Sequence, residues 1–61
     1  MKNIIKNLNS SFDAKEVKKY FRNGSYGLEA CVMECHDILQ RYETNEDYST
    51  INDAIMTFLH S

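Results

Sequence analysis

Proline and tryptophan are absent from this chain, and glycine occurs only as Gly24 and Gly27. So little of either residue excludes a collagen-like repeat and a Gly/Pro-rich linker. Four Tyr and three Phe exclude a disordered acidic tail, which lacks the apolar bulk to collapse. No apolar run approaches the roughly 18 residues of a membrane span. The opening MKNIIKNLNSSF alternates Ile with Asn and Lys, unlike the continuous apolar region of a secretory signal. A cytoplasmic, stand-alone small protein is the expectation. Cysteine is limited to Cys31 and Cys35, so at most one internal disulfide is available.

What is present is 61 residues, 43% hydrophobic and 26% charged. For 7.1 kDa, size scaling gives about 10,300 Å² of surface unfolded and about 4,100 Å² folded. If roughly three-fifths of the difference is apolar, its burial contributes about 93 kcal/mol at ~25 cal/mol/Å². Ordering the chain costs about 92 kcal/mol at ~1.5 kcal/mol per residue. The terms cancel, so self-association or a partner is expected to supply the surplus. A homodimer is the expectation, with Ile4, Ile5 and Leu8 at its interface.

Periodicity points to an all-α fold: a small bundle of three to four helices ending in an antiparallel helical hairpin. Ile4, Ile5 and Leu8 predict a short amphipathic helix over 2–9. Asp13 followed by Glu16 reads as a capping box, and Phe12 with Val17 as a hydrophobic staple. The helix they start, 13–22, turns Ala14, Val17, Tyr20 and Phe21 to one face and stops at Asn23-Gly24. Over 26–43, Leu28, Cys31, Val32, Cys35, Ile38, Leu39 and Tyr42 form a heptad-like apolar seam. The last helix, 46–59, is expected to bury Tyr48, Ile51, Ile55, Phe58 and Leu59. Its start is expected either at Thr44 with Asp47 or at Ser49 or Thr50 with Asp53.

The net charge of −2 conceals a polarity. Residues 1–28 carry six basic and two acidic side chains, +4; residues 29–61 carry one basic and seven acidic, −6. Two functions fit this division. The acidic surface around Glu34, Asp37, Glu46, Asp47 and Asp53, with Met33 projecting from the polar side of its helix, suits a protein partner with a basic surface. Alternatively Lys15, Lys18, Lys19 and Arg22 touch nucleic-acid phosphates. The second is the weaker expectation. A helix-turn-helix reads bases from the start of its second helix, and Tyr26-Gly27-Leu28-Glu29-Ala30 offers no Arg, Asn or Gln there.

Cys31-x-x-x-Cys35-His36 places two sulfurs one helical turn apart, but zinc wants four ligands and His36 points elsewhere. Both cysteines sit in the apolar seam, where Cys packs as a small hydrophobe. A disulfide between them is geometrically poor within a regular helix. No nucleophile motif, phosphate loop or carboxylate pair is present, so no catalytic residue, metal or other cofactor is implied and a non-enzyme is expected. Phe, Tyr, Met, Ile, Asn and Lys make up 26 residues against seven for Gly, Ala, Arg and Pro. That bias is the mark of an A+T-rich coding sequence and suits a phage or mobile element. A small regulator or inhibitor acting by stoichiometric contact is the expected function. Two alternatives are a nucleic-acid-associated regulator using the basic helix and a structural subunit of a larger assembly.

Overall fold

The computed structural model describes residues 2–61, with side chains from Asn3 onward. Four helices account for the fold: α1 (Lys2–Ser10), α2 (Phe12–Arg22), α3 (Leu28–Leu39) and α4 (Tyr48–Leu59). The described residues contain no strand. Every helix touches the other three, with α2 against α3 and α1 against α4 the most extensive packings. The radius of gyration is 10.4 Å, against about 10.5 Å for a compact domain of this length.

The corner between α1 and α2 is one residue, Ser11. Its backbone is extended, its N–H donates to the Leu8 carbonyl, and its Oγ accepts from the Ala14 N–H at 3.1 Å. Ser11 is therefore the N-cap, two residues before the expected Asp13, buried at the turn with its Oγ satisfying a first-turn amide. Asp13 is left in the first turn, where its carboxylate takes a 2.9 Å bond from Arg41 Nη1. Glu16 faces Tyr20 instead of closing a capping box, and its charge pushes the Tyr20 phenol up. The expected staple is not made either: Val17 is buried, whereas Phe12 is 73% exposed.

At the other end of α2, Gly24 adopts φ +82°. Its N–H donates to Phe21 and the Ser25 N–H to Tyr20, the paired bonds of a Schellman stop. Only glycine takes that backbone angle without strain. α3 starts at Leu28, after an extended Gly27, and ends at Leu39, shorter than the expected 26–43. No local breaker stops it. Instead the chain tightens to i→i+3 bonds at Arg41 and Tyr42, which brings Tyr42 against the core and Arg41 to Asp13. α4 begins at Tyr48 because Asp47 caps it, accepting from the Thr50 N–H at 2.9 Å.

The core takes side chains from all four helices. Ile4, Leu8, Ala14, Val17, Cys31, Cys35, Ile38, Leu39, Ala54, Ile55, Phe58 and Leu59 are buried in one cluster. The accessible surface of 4,191 Å² is that of a folded monomer of this mass. Two expectations change here. Ile4 and Leu8 are at most 1% exposed within the single chain, and Ile5 packs beside them. Ile4 and Leu8 complete the chain's own core, and Ile5 is partly buried beside them, so the side chains expected at a dimer contact pack within the single chain. Tyr48, expected inside, is 70% exposed.

Candidate protein-binding face

Two rows of residues spaced by four define the outer seam between α3 and α4. Leu28, Val32 and His36 lie along one helix, Tyr48, Asn52 and Met56 along the other, each row advancing about 40° per step. His36 near the end of α3 meets the start of α4: its Nε2 lies 3.2 Å from Asn52 Oδ1, and its ring stacks on Tyr48. Beyond that stack the two helices flank an open groove of about 390 Å³, lined by Leu28, Glu29, Val32, Met33, Tyr48, Asn52 and Met56.

The groove is apolar and largely unsheltered. Leu28 is 38% exposed, Met33 68% and Tyr48 70%. A lone exposed apolar side chain needs no explanation, but a contiguous set with Met56 and Val32 does. Its charge has one sign. Glu29 lines it, Asp37 follows Met33 by one helical turn, and Asp53 lies about 60° round α4 from Met56. Both aspartates are exposed, and no basic side chain lines the groove.

The expected acidic set is thus divided. Met33 lines the groove, and Asp37 and Asp53 are exposed on the same two helices, one turn on from Met33 and about 60° round from Met56. Glu34 is exposed but projects about 100° round α3 from Met33. Asp47 is committed to the α4 cap, and hydrogen bonds from the Thr50 side chain and N–H hold its carboxyl below the usual range. Glu46 is half-buried in the connection before it. Sequence reasoning missed Leu28, Glu29, Asn52 and Tyr48 as groove residues. The 48, 52, 56 spacing carried the signal, since it runs along the edge of the buried α4 face.

On the far side of the His36–Tyr48 pair lies a second cavity of about 490 Å³, lined by His36, Leu39, Gln40, Tyr42, Thr44 and Ile51. The Thr44 Oγ1 is buried without a hydrogen-bond partner among the described residues. On the opposite charge pole, Lys15, Lys18, Lys19 and Arg22 surround a shallow depression with Asn23. Lys18 Nζ is held 2.7 Å from Ser61 Oγ and 5.0 Å from the centre of the Phe58 ring. The Lys2 side chain, counted in that basic half, lies outside the described residues.

Cys31 and Cys35 are free thiols buried in the core, with Cys31 Sγ 3.8 Å from the Val17 carbonyl. Burial pushes both thiols up, Cys35 to about 12. No three His, Cys, Asp or Glu side chains come together as a metal site among the described residues. No described helix is long and apolar enough to cross a membrane. No protein-family model, curated protein or solved structure matches the chain.

Proposed function

We propose that the protein is a non-enzymatic regulator or inhibitor that binds another protein stoichiometrically through the outer face of α3 and α4. The observation that carries this reading is the open apolar groove of Leu28, Met33, Tyr48 and Met56, with Glu29 in its lining and no basic side chain. An apolar centre supplies affinity, and acidic side chains select a basic partner and speed encounter. The composition bias supports a phage or mobile-element origin and action in the bacterial cytoplasm. The test is affinity capture from cells of the source organism with the wild type and with the triple variant Glu29→Lys, Asp37→Lys, Asp53→Lys. One basic-surfaced protein retained near equimolar amounts by the wild type and lost by the variant is the expected result. Equal recovery by both overturns the reading.

A specific observation supports a second reading, contact with nucleic acid. Lys15, Lys19 and Arg22 converge on one depression of α2, with Lys18 partly engaged elsewhere. Such a patch binds phosphates without reading bases, so affinity for mixed-sequence DNA would fall steeply with salt. Absence of binding at low salt excludes it.

A further inference from the structure

Resting on the protein-binding reading, the geometry points to the occupant of the α3–α4 groove: an amphipathic helix of the partner, about two turns of it in contact, with Lys or Arg flanking its apolar stripe. The length of the groove sets the number of turns. Tyr48 and Met56 bound it along α4, and eight residues at 1.5 Å rise span about 12 Å. A helix presenting apolar side chains at i, i+4 and i+7 spans about the same distance.

The walls set the type of segment. An extended strand is recognised by adding to a sheet edge, and the described residues contain no strand. Both walls here are helices whose backbone bonds are internal, so the groove offers side chains alone. Two neighbouring helix rows present a trough into which the ridge of a third helix fits. Met33 and Met56 line it with unbranched, polarizable side chains that adapt to the ridge they receive.

Charge sets the flanks. Glu29 lies on the α3 wall; Asp37 follows Met33 by one helical turn and Asp53 lies about 60° round α4 from Met56, both exposed. An occupant of the groove meets the Glu29 carboxylate and no basic side chain, with a further exposed carboxylate on each helix, so basic residues beside its apolar stripe are favoured and acidic ones repelled. A second copy of this chain is a poorer match. The apolar face that its α3 and α4 leave exposed is this same groove, so two copies meeting there would set Glu29 and its neighbouring carboxylates against their like, and its basic α2 surface exposes one large apolar side chain, Phe12.

The experiment uses the intact protein and three synthetic peptides, read by fluorescence anisotropy and by amide chemical-shift mapping. The first is a Lys-flanked amphipathic helix with Leu at i, i+4 and i+7. The second has its composition scrambled, and the third has Glu in place of Lys. The first is expected to bind saturably, shifting amides of residues 28–33 and 48–56, and to weaken at least about tenfold in Met33→Glu or in Glu29→Lys with Asp53→Lys. Met33 is exposed, so these variants are expected to keep the helical spectrum of the wild type. No saturable binding at millimolar peptide, equal binding of the scrambled or Glu-flanked peptide, or shifts confined to α2 would overturn the proposal. Concentration-dependent shifts of the same amides without peptide would overturn it in favour of a second copy. If the peptides fail while Met33→Glu still abolishes affinity capture, the helical occupant is wrong and the protein-binding reading stands.

Discussion

The imidazole of His36 lies flat on the ring of Tyr48, with centroids 4.5 Å apart and planes within 3° of parallel. The pair joins the end of α3 to the first residue of α4 and separates the groove from the second cavity. Tyr48 is otherwise exposed, so the stack is the chief packing it has to lose. Tyr48→Ala is expected to cost about 0.5–1.5 kcal/mol. In a domain this small that lowers Tm by several degrees, at roughly 4–8 °C per kcal/mol. Tyr48→Phe keeps the ring and is expected to melt near the wild type. Thermal unfolding followed by circular dichroism distinguishes the two.

The N-terminal helix invites a sharper test. If Ile4 and Leu8 served only a dimer contact, Leu8→Ala would give a folded monomer with an unchanged spectrum. Leu8 is fully buried within the chain, so the substitution removes core packing and leaves a cavity. The expected loss is about 2–5 kcal/mol. That is a large part of the roughly 3–9 kcal/mol available to a domain of this length. Urea unfolding should show a much lower midpoint and, at the upper end of that range, a substantial unfolded population without denaturant.

Much of this architecture was legible in the residues. Ile4/Leu8 and Ile55/Phe58/Leu59 have helical spacing, and Asn23-Gly24 is a strong local stop, so four helices could be placed. The failures share a cause. Ser11, Asp13, Asp47 and Ser49 are all competent caps, and which of them acts depends on where the chain turns in space. The end of α3 at Leu39 is likewise tertiary, since Gln40, Arg41 and Tyr42 are acceptable helix residues drawn instead toward Asp13 and the core. The groove was harder still. Met33 was visible on the polar side of its helix, but Leu28 and Tyr48 lie where a buried stripe ends, and only packing decides which edge residues stay wet.

The two cysteines should behave as core residues toward reagents. Their thiols are buried and pushed up, so almost no thiolate exists at neutral pH. Ellman's reagent is expected to label neither in the native protein and both in denaturant. Cys35→Ser should destabilise more than Cys35→Ala, because it places a hydroxyl in an apolar site at a cost of about 1–3 kcal/mol when unpartnered. Rapid native labelling would show that the α3 core opens readily.

The two helix caps differ in their response to acid, which gives a test of each. Ser11→Ala removes a neutral acceptor, with an expected loss of about 1 kcal/mol that does not change between pH 7 and pH 3. Asp47 acts as a carboxylate, held below its usual value by the Thr50 side chain and N–H. A carboxyl with a depressed folded-state pKa stabilises fully above its unfolded value, about 3.9, and loses that contribution as pH falls through the lower folded value. The stability difference between wild type and Asp47→Asn is therefore expected to be present at pH 7 and to shrink below about pH 4. Urea midpoints of the two proteins across that range supply the measurement. A difference that stays constant to about pH 2 would show that the Asp47 charge contributes nothing to the cap.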